Sequence, residues 1–254
     1  MEDARELRRF LALGPCRAGE TVTLAPEQSR HMVVVLRAEP GDRVRLFTGE
    51  GAEYLGRVVE ADPKAARVRV VERLETGGGV GTVVTLGFAP APQNRSDTIV
   101  EKATELGADR LRPLLCRRVQ RRQARSAARR LERWERLAQE AARQSQRAEV
   151  PRVLPPVAFE QFVDDAEGLR LIAVTGESTP LWDRLQGLEE PPPVAVLAVG
   201  PAGGFTQREA DRAAEAGFLP VALGPHVLRV ETAAVALLTA LVLRLDALPA
   251  AGQQ

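Results

Sequence analysis

Two glycine-containing stretches near the carboxyl end decide the fold, Gly200-Pro201-Ala202-Gly203-Gly204-Phe205 and Leu223-Gly224-Pro225-His226-Val227-Leu228-Arg229-Val230-Glu231-Thr232-Ala233. Each stretch follows a short apolar run and precedes residues with helical spacing of apolar positions. Loops that follow the strands of an α/β domain are the usual ligand-binding positions. The two stretches therefore predict one composite pocket.

The surrounding sequence predicts strands that alternate with helices. Strands are expected at residues 169–174, 194–199 and 219–223, and the middle one is continuously apolar, as a strand covered on both faces should be. A capping-box pattern at Thr206 and Glu209 predicts a helix that ends near Gly217. Residues 231–245 are apolar nearly all round, which predicts a helix buried in the core or against another subunit.

The pattern of alternating strands and helices begins after a glycine-rich break at residues 76–81, which we take as a domain boundary. Downstream of it we predict the following elements in order: a strand at 83–88, a helix at 97–106 stopped by Gly107, a strand at 112–115, and a long helix at 126–147 ended by Pro151. Upstream of it the strand patterns at 22–24, 42–47, 54–59 and 66–71, with one short helix near 27–37, predict a small β-barrel.

The net charge is only +1, yet the cationic residues are concentrated. The segment from Arg117 to Arg147 is rich in arginine and is opposed only by Glu132, Glu135 and Glu140. One interpretation is a directed contact with a polyanion, and the other is a solvated helix. The sequence alone leaves both open.

Several classes of function are disfavoured by what the sequence lacks. The N-terminus has no apolar segment typical of a signal peptide, and no apolar stretch has the length of a membrane span, which predicts a soluble cytoplasmic protein. The two cysteines, Cys16 and Cys116, lie far apart and are interpreted as buried thiols. With only two histidines a metal site is not expected. Neither a P-loop nor a GxGxxG motif is present.

The two loops offer a specific chemistry for a ligand. Glycines let the backbone turn sharply and approach a ligand closely. Leu223 and Leu228 could flank an adenine ring while backbone groups bind its edge. Glu231 and Thr232 are either part of this site or caps of the last helix.

The chain resembles the RsmE family, the bacterial 16S ribosomal RNA uracil-N3 methyltransferases of the SPOUT superfamily, over nearly its whole length. The resemblance rests on Arg8-Arg9-Phe10, residues 30–42, Lys102-Ala103-Thr104-Glu105-Leu106-Gly107, residues 144–151, residues 199–206 with Glu209, and residues 223–233. The chain departs from the family pattern at three positions: the family usually has Glu at Ala202, Arg at His226 and often Thr at Val230. The replacement at Ala202 puts any catalytic role of that position in doubt.

The resemblance implies an α/β fold, a SPOUT-type domain with a C-terminal trefoil knot at residues 80–254, preceded by a small PUA-like β-barrel RNA-binding domain at residues 1–73. It further implies a homodimer that binds S-adenosylmethionine without a metal and methylates 16S ribosomal RNA, within the small ribosomal subunit. The cofactor-binding residues it implies are Thr175, Gly176, Val199, Gly200, Pro201, Gly203, Gly204, Leu223, Gly224, Leu228, Glu231, Thr232 and Ala233.

The reaction that the resemblance implies suggests roles for two side chains. Uracil N3 is a poor nucleophile until its proton leaves. The resulting anion spreads onto the two carbonyl oxygens, where a cation would stabilise it, and Arg229 is the candidate. Glu231 is the candidate that accepts the proton. The RNA-binding candidates are Arg8, Arg9, Arg30, Arg37, Arg95, Arg117, Arg118, Arg121, Arg122, Arg125 and Arg147. The alternatives are a SPOUT ribose 2′-O-methyltransferase of ribosomal or transfer RNA, and a non-catalytic RNA-binding assembly factor.

Overall fold

The computed structural model describes residues 7–75, 81–92, 94–176 and 178–249. Most of the predicted glycine-rich break, residues 76–80, therefore lies outside the described residues. The chain divides into two compact units. The first comprises Met1–Gly77 with Gln139–Val150, and the second comprises Gly78–Ala138 with Pro151–Gln254.

The described part of the first unit contains a five-stranded sheet in the order β1-β3-β4-β5-β2. β1 pairs with β3 in parallel, whereas the other pairs are antiparallel. A short helix, α1 (Pro26–Arg30), continues into a π-helical turn at His31–Val35. The strands are β1 (Arg9–Leu11), β2 (Thr21–Thr23), β3 (Arg43–Phe47), β4 (Glu53–Glu60) and β5 (Arg67–Leu74).

Alternation of side chains in these strands builds the core of the first unit. In β5, Val68 and Val70 are buried while Arg67 and Arg69 are exposed, as the two-residue period of a strand requires. The buried set includes Phe10, Met32, Leu46 and Val68, so the sheet packs against the π-helical turn. The sequence patterns predicted β2, β3, β4 and β5 and missed β1, whose three residues are all buried and show no alternation.

Arg9 is a structural residue of this unit. Its side chain is 5% exposed, forms an ion pair with the buried carboxylate of Glu53, and lies 4.5 Å from the ring centroid of Phe47. It also donates hydrogen bonds to the carbonyls of Ala142 at 3.3 Å and Arg147 at 2.9 Å. Burial lowers the pKa of Arg9 below its ordinary value, and the Glu53 carboxylate offsets part of this shift. The structure does not present Arg9 to RNA, because its guanidinium is buried and its two NH2 groups bind Glu53 and main-chain carbonyls.

The second unit is an α/β domain whose strands are all parallel. The sheet order is β12-β10-β11-β6-β7-β8, with β9 paired to the far end of β7. Its strands are β6 (Val83–Phe88), β7 (Arg110–Leu115), β8 (Arg152–Val153), β9 (Val157–Ala158), β10 (Leu169–Ala173), β11 (Val194–Val199) and β12 (Leu219–Val221). Its helices are α2 (Arg95–Glu105), α3 (Arg121–Arg129), α5 (Phe159–Asp164), α6 (Leu181–Gln186), α7 (Gln207–Glu215) and α8 (Val230–Asp246). A further helix, α4 (Leu131–Gln144), belongs to this unit up to Ala138 and to the first unit from Gln139.

The centre of this sheet follows from its sequence. β11 is apolar and buried over Ala195–Val199, as predicted, and lies between β10 and β6. In β6, Gly87 is required by packing, because a Cβ there would lie 2.5 Å from the Phe162 ring. The last helix, α8, buries Leu237, Leu238 and Leu241.

The predicted long helix at residues 126–147 is wrong in both bounds and continuity. The structure has two helices in this segment. The helical backbone is interrupted at Arg130, whose φ of −98° and ψ of 0° end α3. α4 ends at Gln144, and Gln146 adopts a left-handed φ of 61°. Pro151 therefore comes too late to end the helix. Trp134 anchors α4 by donating to the buried Asp97 at 2.8 Å.

The two cysteines of the chain lie in the interior. Cys16 and Cys116 are both buried free thiols, which confirms their interpretation. Burial raises the pKa of the Cys116 thiol, so it stays protonated at neutral pH. Among the described residues, no helix combines the length and apolarity needed to cross a bilayer.

We predict that Arg9→Ala lowers the free energy of unfolding by about 3–5 kcal/mol, because it leaves the Glu53 carboxylate buried beside one cation fewer. Arg30→Ala, at an exposed position of α1, should change it by less than about 0.5 kcal/mol. Denaturant unfolding monitored by circular dichroism measures both. Equal stability of the two variants would contradict the structural role of Arg9.

Candidate cofactor-binding cavity

A cavity of about 670 Å³ lies where three strands of the second unit end. β12, β10 and β11 are parallel neighbours, so the loops that follow them meet at one edge of the sheet. These loops contribute Thr175 and Gly176, residues 200–206, and residues 222–228. The volume is within the usual range for a site that encloses a small molecule.

The structure brings together most of the predicted cofactor residues. Those that line the cavity are Thr175, Gly176, Val199, Gly200, Pro201, Gly203, Gly204, Leu223, Gly224, Leu228 and Ala233. Sequence reasoning missed further lining residues, most of them neighbours in the same loops: Arg118, Ala173, Val174, Ala202, Phe205, Thr206, Gln207, Ala210, Ala222, Pro225, His226, Val227 and Val230. Arg118 is the exception, since nothing in its local sequence points to this cavity.

The loop at residues 200–206 is held in a tight turn. Gly204 has φ of +72°, and its N–H donates to the Pro201 carbonyl at 2.7 Å. A Cβ at Gly200 would lie 2.8 Å from the Phe205 ring, which packs on Phe159 with ring centroids 4.8 Å apart. The glycines thus let the loop fold back on its own aromatic residue and leave backbone groups at the cavity wall.

A buried carboxylate fixes the end of this loop. Glu209 is 2% exposed, and its Oε2 accepts hydrogen bonds from the Thr206 N–H at 2.7 Å and the Thr206 hydroxyl at 2.8 Å. Together with the Glu209 N–H, these groups form the predicted capping box of α7. The other oxygen, Oε1, accepts from the Arg117 N–H at 2.7 Å. One side chain therefore joins the glycine loop to the segment that follows β7.

Arg118 lies against the same loop. Its guanidinium donates to the carbonyl oxygens of Gly203 and Phe205, the latter at 3.2 Å. This residue was predicted to bind RNA, and the structure gives it a further partner in the cavity wall. A role in RNA binding stays a prediction for Arg118, whose residue as a whole is exposed.

The first turn of α8 separates the predicted catalytic residues from the cavity. Val230 and Ala233 line it, whereas Arg229, Glu231 and Thr232 do not. Residues 230 and 233 share one face of a helix, so residue 231 must project elsewhere. Glu231 and Thr232 thus do not line the cavity, and their predicted contacts with the cofactor stay a prediction.

Arg229 and Glu231 have distinct surroundings. Arg229 is the exposed N-cap residue of α8, and its side chain makes no capping hydrogen bond. Glu231 lies in the first turn of this helix, where a carboxylate interacts favourably with the helix dipole. Glu231 Oε1 lies 3.5 Å from Arg95 Nε. Glu231 Oε2 is buried and has no hydrogen-bond partner among the described residues. The catalytic assignment of Glu231 stays a prediction.

The remaining RNA-binding candidates differ in exposure. Arg95 is half-buried, and the Arg147 side chain is 14% exposed and lies 3.6 Å from Glu149. Within the arginine-rich segment, Arg133 pairs with Asp97 at 2.8 Å and is therefore partly structural. Exposed positions are held by Arg8, Arg30, Arg37, Arg117, Arg121, Arg122 and Arg125.

Comparison with known proteins agrees with this geometry. The sequence profile of an RNA methyltransferase domain matches residues 81–242, which include the whole cavity, and that of an RNA methyltransferase PUA domain matches residues 24–71. Ribosomal RNA small subunit methyltransferase E of Synechocystis is 34% identical over 84% of this chain and 70% of that protein. The chain belongs to the RsmE family.

Other RsmE proteins support this assignment along the chain. The Bacillus subtilis relative, also a ribosomal RNA small subunit methyltransferase E, is 28% identical over 87% of this chain and 89% of its own length. The crystal structure of the Neisseria gonorrhoeae protein of the same name, bound to S-adenosylmethionine, superposes with a TM-score of 0.83 at 30% identity. The superposition covers 92% of this chain and 96% of the Neisseria gonorrhoeae chain. The RsmE fold thus includes both a PUA-like unit and a SPOUT unit, as the sequence predicted.

We predict that Glu209→Ala lowers the free energy of unfolding of this RsmE protein by about 2–4 kcal/mol, because the partly buried N–H groups of Thr206 and Arg117 lose their acceptor. Glu215→Ala, in the same helix with a side chain 68% exposed, should cost less than about 0.5 kcal/mol. Thermal and urea unfolding compare the two. A Glu209→Ala protein as stable as Glu215→Ala would exclude the anchoring role.

Proposed function

We propose that this protein transfers the methyl group of S-adenosylmethionine to N3 of a uridine in 16S ribosomal RNA. The observation that carries the proposal is the cavity at the ends of β10, β11 and β12, which the RsmE motif loops enclose. The proposed substrate implies action in the cytoplasm, on the RNA of the small ribosomal subunit.

The residues of the cavity fit this cofactor. Apolar side chains of Val199, Leu223 and Leu228 offer flat contact for an adenine ring, and the glycine loop leaves backbone groups available for hydrogen bonds. At Gly203 a Cβ would lie 3.3 Å from Arg118 Cδ, so the absence of a side chain keeps this wall open. When bound, S-adenosylmethionine supplies a methyl group that is already electrophilic because it is attached to a sulfonium.

The chain must then make uracil N3 nucleophilic. Loss of the N3 proton leaves negative charge on the two neighbouring carbonyl oxygens. The exposed guanidinium of Arg229, one residue before the cavity-lining Val230, would stabilise that charge. Glu231, the residue after Val230, would accept the proton. The replacement of the family's usual glutamate by Ala202 removes one ionisable side chain from the motif loops.

A homodimer would complete the site. α8 buries one face within its own unit, and a second apolar stripe holds Val235, which is half-buried, and Leu243, which is 64% exposed. A second copy of the chain would cover that stripe, which starts at the turn that carries Arg229 and Glu231. Sedimentation equilibrium tests the dimer, and a monomer at micromolar concentration would contradict it. The trefoil knot stays a prediction.

Nucleoside analysis tests the proposed reaction. Small ribosomal subunits from cells without this activity are incubated with the protein and labelled S-adenosylmethionine, and the RNA is then digested to nucleosides. We expect label in 3-methyluridine. Label in a 2′-O-methylated nucleoside would favour the ribose methyltransferase alternative, and cofactor binding without any transfer would favour a non-catalytic factor.

We predict that Gly203→Val weakens binding of S-adenosylmethionine by about tenfold or more, because the branched side chain would fill the wall beside Arg118. Gly187→Val is the matched control, since a Cβ there meets nothing nearer than the Arg184 carbonyl at 3.6 Å. Calorimetric titration of both folded variants measures the effect. Unchanged affinity of Gly203→Val would remove this loop from the binding site.

The double variant Arg121→Glu with Arg122→Glu should weaken binding of small-subunit RNA by about tenfold or more. It should also reduce the slope of log affinity against log salt by roughly one to two. The lysine pair, Arg121→Lys with Arg122→Lys, keeps both charges and serves as the control. Cofactor affinity should be equal in all three proteins. The assignment fails if the glutamate variant binds RNA like the wild type.

Arg229→Ala should reduce kcat by about a hundredfold and leave cofactor affinity and stability unaltered, because the guanidinium acts on charge that develops only during reaction. Arg229→Lys keeps a cation at the same place and should recover part of the rate. Single-turnover methylation gives the rates. An Arg229→Ala protein with wild-type turnover would exclude the assignment.

A further inference from the structure

The second unit contains a second cavity, of about 310 Å³. One wall is the loop after β6, residues Pro90–Pro92, and the other is α3 with the residue before it. Its volume is less than half that of the first cavity, so it suits a smaller ligand than the cofactor. Neither the family profiles nor the names of the relatives assign a ligand to it.

The chemistry of the walls indicates what the ligand is. The floor is apolar and buried and includes Trp134 and Ala127, each 1% exposed. At the rim stand Gln120, Gln123 and Ser126, whose amides and hydroxyl both donate and accept hydrogen bonds. Arg122 adds a cation, and no acidic side chain is among the described lining residues. An apolar floor, amide edges and a cation match a nucleobase with its phosphate.

The position of the second cavity matches the reaction. β6 lies beside β11 in parallel, with Phe88 opposite Val199, and the Ala89 N–H donates to the Val199 carbonyl at 2.9 Å. The loops that bound the two cavities therefore start side by side at one edge of the sheet. Arg118 lines the first cavity and Gln120 the second. Two residues of chain span roughly 7 Å at most, which is within reach of successive nucleotides of one strand.

We propose that the second cavity binds one unstacked nucleotide of the RNA substrate, adjacent to the uridine that is methylated. The base lies on the apolar floor with its edge toward Gln123 and Ser126, and its phosphate lies at Arg122. Binding of this nucleotide fixes the strand so that the target base reaches the cofactor cavity. The inference rests on the proposed function, since it names a subsite for the same RNA.

A pair of phenylalanine variants on α3 tests the proposal. Ser126 lines the cavity, whereas Ala128 is exposed on the same helix and does not. Ser126→Phe would fill the space for the base, and Ala128→Phe would project into solvent. With small ribosomal subunits as substrate, Ser126→Phe should raise KM for RNA about tenfold. Its affinity for S-adenosylmethionine and its kcat at saturating RNA should change less than about twofold. Ala128→Phe should match the wild type in every measurement.

Gln123→Ala provides a second variant that removes an edge contact without adding bulk, and it should raise the same KM about fivefold. Photocrosslinking of RNA that contains 4-thiouridine beside the target then reports direct contact, with crosslinked peptides expected from residues 90–92 or 120–134. Wild-type KM in both folded variants, or crosslinks confined to other segments, would overturn the subsite. Absence of methyl transfer by the wild-type protein would instead refute the proposed function.

Discussion

The buried carboxylate of Glu209 is the interaction on which the site depends. Its two oxygens bind opposite partners: Oε2 holds Thr206 at the end of the glycine loop, and Oε1 holds the Arg117 N–H at the start of the basic segment. A carboxylate that is 2% exposed is stable only when its oxygens are satisfied, so these contacts have little freedom. The wall of the candidate cofactor cavity and the start of the arginine-rich segment are therefore positioned by one side chain.

The arginines of this chain illustrate how one residue type serves opposite purposes. Arg9 is part of the core of the first unit, where Glu53 and the Phe47 ring compensate for its desolvation. Arg118 braces the carbonyls of the glycine loop, and Arg133 anchors α4 on Asp97. Arg121 and Arg122 remain exposed on α3, where a phosphate can reach them. The arginines of the basic segment at residues 117–147 thus fall into two groups. Some form contacts within the fold, and others stay exposed, where a polyanion could contact them.

Sequence reasoning was accurate where a pattern is local. The apolar run of β11, the capping box of α7 and the apolar α8 were all predictable, because each depends on residues a few positions apart. It failed where the local pattern is interrupted or too short. The break at Arg130 divided the predicted helix into α3 and α4, α4 ended before the left-handed Gln146, and short elements such as β8, β9 and α6 carried no periodic signal.

The sequence by itself determined the parallel α/β unit, the family and eleven of the residues that line the cofactor cavity. Strand pattern, turn glycines and helix caps are short-range properties, so they can be read without coordinates. Only the tertiary structure decided that Arg9 is buried, that Arg118 belongs to the cavity wall, and that Glu231 faces Arg95 rather than the cavity. A charged side chain has the same appearance in a sequence whether it faces solvent or a carboxylate far along the chain. Its role is fixed by the partner that folding brings to it.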